Sequence, residues 1–319
     1  MTGGAGYIGS VVSARLLEAG HKVTVLDNLC HGYRDAVPDA AKFVEGDVSN
    51  AGTLRGLFAK TKFDAVLHFA ALIEAGESMR APELYFRANT AATLVLLEEI
   101  IAADIRKFVF SSTAALYGEP ESSPIRESDA LRPTNAYGES KLLVERALDW
   151  LNRLHGFRYA SLRYFNAAGG TDQRGERHQP ESHLIPLVLQ AAAGKRPHIS
   201  IFGTDYPTKD GTCVRDYIHV LDLAEAHLLA LEALEQHDKL IYNLGNGQGF
   251  SVREVIEVAG RVTGKKIPVV EAARRSGDPA VLIASSQKIQ QELRWKPKHA
   301  ELERIIESAW KFYLSRSGN

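Results

Sequence analysis

The sequence predicts an α/β fold, a doubly wound parallel sheet followed by a smaller C-terminal α/β domain, and three observations predict it. The chain opens on a glycine-rich loop, Met1-Thr2-Gly3-Gly4-Ala5-Gly6-Tyr7-Ile8-Gly9, that runs straight into an amphipathic stretch from Val11 to Gly20. Short β-rich runs then alternate with helical ones as far as Phe110, the rhythm of parallel strands joined by crossover helices. The first such run, Lys22-Val23-Thr24-Val25-Leu26, ends in Asp27, eighteen residues after Gly9.

Glycines at 3, 6 and 9 let the backbone turn tightly, approach a pyrophosphate closely and pack the next helix on the sheet. The free N–H groups at the helix start then face the phosphates. That spacing alone also fits a plain strand-to-helix turn. Asp27 favours the dinucleotide reading, because an acidic residue at this distance accepts hydrogen bonds from an adenosine ribose in a Rossmann-type site. Asp27 repels a 2′-phosphate and no Arg follows it directly, so NAD is expected rather than NADP. Only Met1 and Thr2 precede Gly3, where such a loop normally follows a buried central strand. Without that strand its neighbours lose ladder partners, so the expectation is a truncated or misassigned start.

Composition narrows the class. A chain of 319 residues suits one large domain or two smaller ones. Net charge is −1 with no long charge run, which argues against nucleic acid or a membrane as partner. The longest apolar candidate, Ala91 to Ala103, contains Glu98 and Glu99, and no basic segment precedes an apolar stretch in the manner of a signal peptide. Cys30 and Cys213 stand alone and no glycosylation sequon is present. A cytoplasmic protein with two structural thiols is expected.

Taken in order, Lys42-Phe43-Val44 reads as a strand followed by Asp47 and Val48, and Phe63 to His68 as a strand ending in Phe69, Ala70 and Ala71. Pro82 to Ala103 reads as a long helical stretch, and Phe108-Val109-Phe110 as a strand ending in Ser111, Ser112 and Thr113. Ligands in parallel sheets sit at the carboxyl ends of strands. Asp47 and Val48 are thus candidates beside an adenine, Phe69, Ala70 and Ala71 along the dinucleotide, and Ser111 to Thr113 near its reactive end. Taken singly, each also fits ordinary turn chemistry.

The candidate chemistry lies in Asn135-Ala136-Tyr137-Gly138-Glu139-Ser140-Lys141. In the helix that follows, Leu143, Ala147, Trp150, Leu151 and Leu154 share one face, and Gly156 ends it. Tyr137 and Lys141 are one turn apart on the same side. A phenol with an ordinary pKa of about 10 is a poor base at neutral pH. A nearby ammonium and a positive nicotinamide ring favour the phenolate, and a hydroxyl from Ser112 or Thr113 can steer a substrate alcohol toward it.

These motifs resemble the extended short-chain dehydrogenase/reductase family. The downstream half resembles, within it, the UDP-glucose 4-epimerases: Arg163-Tyr164-Phe165-Asn166, the run from Ile201 to Thr212, Val214-Arg215-Asp216-Tyr217-Ile218-His219-Val220, Tyr242-Asn243-Leu244-Gly245 and Arg274-Arg275-Ser276-Gly277-Asp278. The resemblance implies a Rossmann-type NAD domain over 1–165 and a UDP-sugar domain over 166–319 with segments crossing back. It implies reversible oxidation of a UDP-hexose at C4 with NAD retained, and a homodimer formed by the helices near Thr90–Ala102 and Tyr137–Leu154. It adds Tyr7, Ile8, Asn28, Asn89 and Phe165 to the cofactor residues, together with Tyr137 and Lys141. For the substrate it implies Thr113, Asn166, Tyr217, Arg215 and Arg275, with Phe202 under the uracil and Asp278 at the ribose. Guanidinium forks suit a diphosphate and a flat ring suits a base.

Three positions depart from the commonest family pattern. Ser182-His183-Leu184 replaces an Asn-Asn-Leu segment at the nucleotide, Ile73 replaces a lysine near the cofactor, and Leu282 stands where a bulky Tyr often crowds the sugar. The smaller Leu282 leaves room for an N-acetyl group, so UDP-GlcNAc is a further candidate substrate. His178 and His183 are five apart, but no supporting ligand spacing makes them a metal site. An NDP-sugar 4,6-dehydratase shares the Tyr/Lys pair but needs an acid pair where this chain has Ala114-Ala115. A non-catalytic NAD-sensing regulator can lose the Tyr or Lys, and this chain retains both.

Overall fold

A computed structural model describes residues 1–275 and 278–317. The first half delivers the βαβ units. Helix α1 (Tyr7–Glu18) leads to β1 (Thr24–Asp27) and β2 (Lys42–Glu45), and α2 (Ala51–Lys60) to β3 (Val66–His68). Two short helices follow, α3 (Ala75–Ser78) and α4 (Pro82–Tyr85). The chain then continues through a π turn, Phe86–Ala91, into α5 (Ala92–Ala102). Strand β4 (Lys107–Thr113), helix α6 (Ala136–His155) and β5 (Arg158–Tyr164) complete this half.

The second half supplies β6 (Asn166–Ala168), α7 (Leu184–Ala192), β7 (Ile199–Phe202), β8 (Val214–Arg215) and β9 (Tyr217–His219). After these come α8 (Val220–Ala233), β10 (Lys239–Leu244), β11 (Phe250–Ser251), α9 (Val252–Thr263) and β12 (Val269–Ala272). The chain closes with β13 (Val281–Leu282), α10 (Gln287–Leu293) and α11 (Leu302–Ser317).

Strands β3, β4, β5 and β10 form one parallel sheet and β1 and β2 another. Met1 and Thr2 stand between the two. Thr2 bridges Leu26 and His68, its N–H donates to Leu67 O at 3.0 Å, and Phe69 N donates back to Thr2 O at 2.9 Å. Leu26 N donates to Met1 O at 2.8 Å, so these two residues hold the central slot and join the halves into one parallel array. The Thr2 hydroxyl is 2.6 Å from His68 Nδ1, and His68 Nε2 is 2.9 Å from the Thr93 hydroxyl. Because Thr93 donates to Asn89 O at 2.6 Å, its oxygen accepts from Nε2–H, and Nδ1 accepts from Thr2. His68 is therefore neutral, with burial lowering its pKa to about 3.

Both faces of the array are covered. Val11, Val12 and Leu16 of α1 pack with Leu223, Ala224 and Trp295 on one side. Leu54, Leu96, Leu97, Ile100, Val144 and Leu148 from α2, α5 and α6 cover the other. Strand β10 and helix α8 come from beyond residue 165 yet belong to this layer. A second core gathers Ile185, Val188, Ile201, Tyr217, Val255 and Ile305 from α7, β7, β9, α9 and α11.

In helix α6, Leu142, Val144 and Leu148 are buried, the last two in the core that covers the sheet. The stripe read from the sequence borders this face: Leu151 packs on the same core and Leu143 and Ala147 are half-buried, whereas Trp150 is 59% and Leu154 69% exposed.

Candidate active site

The glycine loop is shaped by close contacts. A Cβ on Gly3, whose φ is +70°, would lie 2.4 Å from Ala70 N, and one on Gly9 would lie 2.2 Å from Gly3 O. The first contact lets the loop cross the end of β3, and the second seats α1 on the loop. Gly6 meets nothing nearer than Gly3 O at 3.4 Å, so its surface is left open. It opens onto a cavity of about 680 Å³ at the carboxyl ends of the strands.

Gly3, Gly6, Tyr7, Ile8 and Gly9 line that cavity, as do Asp27, Asn28, Asp47 and Val48 at one end. Phe69, Ala70, Ala71 and Ser111 line it further along. Asp27 accepts from Ala5 N and Leu29 N, both at 2.9 Å, one on each carboxylate oxygen. Each oxygen keeps acceptor capacity for a hydroxyl. Asn28 donates to Asp47 at 2.6 Å, and Asp47 also accepts from Ser49 N and its hydroxyl at 2.8 and 2.6 Å. Burial alone would raise the Asp47 pKa; the Ser49 and Asn28 bonds outweigh it and lower the value. Ile73 lines the cavity at the position of the absent lysine.

At the reactive end the Thr113 side chain stands beside the Tyr137 phenol and favours its phenolate, and the Lys141 ammonium donates to Ser111 O at 2.9 Å. Two Lys141 N–H groups remain for a ligand hydroxyl. Burial pushes the Lys141 pKa down to about 7. Tyr137 departs from the sequence expectation: burial raises its pKa above the ordinary value, outweighing the Thr113 side chain, and the Glu74 charge raises it further. The protein alone does not favour the phenolate; a positive ring beside it is the remaining means.

Two expected contacts are turned away from the cavity. Ser112 is buried and donates to Glu145 Oε1 at 2.6 Å. Alternation along β4 puts its hydroxyl on the face opposite Ser111 and Thr113. Glu145 in turn holds Arg163 through Nε at 3.0 Å and Nη2 at 2.6 Å, and Arg163 Nη1 donates to the Tyr117 hydroxyl at 2.8 Å. Asn89 is also buried; it accepts from Leu72 N at 2.8 Å and donates to Leu72 O at 2.9 Å. It braces the cavity wall and does not reach the cavity.

The second half brings Phe202, Arg215, Arg275 and Asp278 together. Arg215 ion-pairs with Asp278, and the Arg275 guanidinium lies 4.0 Å over the Phe202 ring. Leu282 is registered against Arg215 between β13 and β8. Asn166 Nδ2 donates to Asp216 O at 3.0 Å, and Phe165 N to Leu244 O at 3.1 Å. Tyr217 is buried in the second core, so it stands behind Arg215 in the wall. Ser182 is exposed, and Leu184 packs on the second core. His183 Nδ1 lies 2.8 Å from Glu181. Burial would lower its pKa, but the Glu181 bond and the charges of Glu176, Glu181 and Glu74 raise it to about 9. Ser276 and Gly277 of the Arg-Arg-Ser-Gly-Asp motif lie outside the described residues.

Sequence reasoning missed Glu145 and Glu74, gave Arg163 no structural partner, and weighed His178 only as half of a metal pair with His183. Glu74 Oε1 and His178 Nδ1, 3.3 Å apart on the cavity wall, are buried without a hydrogen-bond partner. Nothing in the local pattern pairs His178 with Glu74. Glu145 had a signal, since it follows Lys141 by one helical turn.

The NAD dependent epimerase/dehydratase family pattern matches residues 1–245. The chain is 52% identical over 316 residues to the UDP-glucose 4-epimerase of Halalkalibacterium halodurans, covering 98% of this chain and 94% of that one. A crystal structure of UDP-glucose 4-epimerase superposes with a TM-score of 0.97 at 47% identity, covering 100% of this chain and 98% of the other. The UDP-glucose-4-epimerase of Stenotrophomonas maltophila, with bound NAD and formylated UDP-arabinopyranose, superposes with a TM-score of 0.95 at 39% identity, covering 99% and 98%.

Proposed function

The chain belongs to the NAD-dependent epimerase/dehydratase family, and from that premise we propose that it interconverts UDP-glucose and UDP-galactose through a 4-keto sugar. NAD is its cofactor, and when bound it supplies the hydride acceptor and donor for C4. The observation that carries the reading is the reactive end: Tyr137 with Thr113 beside it and the buried Lys141 one turn on, Lys141 donating to Ser111 O behind the Ser111 wall of the cavity.

Tyr137 takes the proton of the sugar 4-hydroxyl and returns it after the sugar has turned. Thr113 aligns that hydroxyl, and the two spare Lys141 donors orient the cofactor end. Residues 1–165 hold NAD and residues 166–319 the UDP-sugar. Gly3, Gly6, Tyr7, Ile8 and Gly9 cradle the pyrophosphate; Asp27, Asn28, Asp47 and Val48 hold the adenosine. Arg215 and Arg275 take the substrate diphosphate, Phe202 the uracil and Asp278 the ribose. The Arg215–Asp278 and Arg275–Phe202 contacts open as the nucleotide replaces them. Firm anchoring of the diphosphate with loose sugar contacts is what turnover of a flat keto sugar requires. Ala114 and Ala115 carry no acid for a dehydratase step.

The exposed Trp150 and Leu154 on α6, with Leu94 at 39% exposure on α5, support a homodimer through these helices. Among the described residues no helix is long and apolar enough to cross a membrane. Both cysteines are free thiols, which supports a reducing, cytoplasmic setting.

The test is to incubate the purified protein with UDP-galactose, without added NAD, and to resolve UDP-glucose over time. Formation of UDP-glucose supports both the reaction and a retained cofactor. Absence of product even with added NAD overturns the reading. UDP-GlcNAc run in parallel reports on Leu282.

A further inference from the structure

We propose that the loop after β1 and the segment before α7 form a latch over the cofactor cavity, with Tyr33, Asp35 and Arg177 as its bolt, and that the latch sets how slowly NAD leaves. The inference rests on the NAD reading above. One wall of the cavity is the loop from Asn28 to Tyr33, and the facing wall is Gly175 to His178. The two walls are 144 residues apart in sequence at the Tyr33–Arg177 bond, and in this proposal a dinucleotide beneath them leaves faster once they part.

Several contacts hold them together. The Arg177 guanidinium lies 3.7 Å from the centre of the Tyr33 ring, and the Tyr33 hydroxyl donates to Arg177 O at 2.9 Å. Arg177 Nη1 donates to Asp35 Oδ1 at 2.8 Å, and Arg316 Nη1 of α11 pairs with the other Asp35 oxygen at 3.0 Å. Arg174 Nε donates to Ala36 O at 2.9 Å. Two further bonds tie these segments to the glycine loop and α1: Tyr33 N donates to Ala5 O at 2.9 Å, and the Tyr7 hydroxyl to Gly169 O at 2.7 Å. Cation–π and charge-assisted bonds of this kind are individually modest but act on one opening motion. Ion pairs at this partly exposed edge weaken with salt, so the bolt is also a salt-sensitive element.

The test compares wild type with Arg177→Ala, Tyr33→Ala, Tyr33→Phe and Asp35→Asn. Free NAD is removed by gel filtration, bound NAD is counted, and release is followed with an NAD-hydrolysing trap at low and high salt. Circular dichroism confirms folding, and Arg55→Ala, which breaks a surface pair with Glu99, controls for generic loss of a charge. Expected is release about tenfold or more faster in Arg177→Ala and Tyr33→Ala, with smaller effects in Tyr33→Phe and Asp35→Asn. Salt should accelerate wild-type release and leave Arg177→Ala nearly unchanged. Release within twofold of wild type in Arg177→Ala and Tyr33→Ala overturns the latch alone. A wild-type protein that binds no NAD overturns the latch together with the reading beneath it.

Discussion

Ser112 donates its hydroxyl to the buried carboxylate of Glu145 at 2.6 Å, and so faces away from the Tyr137 phenol that its neighbour Thr113 reaches. The two hydroxyls are therefore separable by experiment. Thr113→Val is expected to lower kcat about tenfold to a hundredfold, the scale of losing one hydrogen bond to a charged group, with little change in stability. Ser112→Ala leaves the Tyr137 contact intact and weakens the Glu145–Arg163 network. It is expected to show as a lower unfolding midpoint with a much smaller change in kcat. Steady-state kinetics and urea unfolding on both variants decide it; equal kinetic losses would contradict the assignment.

Lys141 gives a stability prediction with a definite sign. Its folded-state pKa is about 7 against an ordinary 10.5. Below about pH 7 the ammonium is charged in both states and the cost of burying it is complete. Between pH 7 and 10.5 the unfolded chain holds the proton more often, so stability rises with pH. NAD-free Lys141→Met is expected to be more stable than wild type at pH 6, with the gap closing toward pH 10. Denaturant titrations across that range check it, while the same variant loses activity by about 10²–10⁴-fold.

His183 runs the other way. Its folded pKa is about 9 against 6.5, so its contribution is complete below pH 6.5 and is lost as pH rises through 9. His183→Asn should flatten that part of the stability curve. If the imidazolium contacts the substrate diphosphate, KM for UDP-galactose should climb above pH 9 in wild type and stay level in the variant.

The outward face of α6 predicts the oligomer. Trp150→Glu with Leu154→Glu is expected to convert a dimer to a folded monomer, read by light scattering after size exclusion with circular dichroism as control. A wild-type monomer at micromolar concentration would remove the proposed interface.

The sequence was legible where chemistry is local. Glycine spacing, the acidic end of β1 and the Tyr137–Lys141 turn each act within a few residues of chain, and the cavity is lined by the glycine loop and Asp27. The sorting of Ser111 and Thr113 from Ser112 follows from the period-two alternation of a strand. The apolar stripe of α6 was legible as a face, but periodicity alone names no partner for it; the expectation of a second copy there came from the family resemblance.

By itself the sequence determined the βαβ rhythm, the glycine turn, the strand-end positions and the catalytic turn of α6, because these depend on backbone geometry and side-chain period over a few residues. Only the tertiary structure decided that Met1 and Thr2 hold the central slot between β1 and β3, that Glu145 neutralises Arg163 behind the site, that Arg215 pairs with Asp278, and that Arg177 closes on Tyr33. Those contacts join residues from 18 to 144 positions apart. Loop closure and packing select such partners, and local propensity carries no record of that selection.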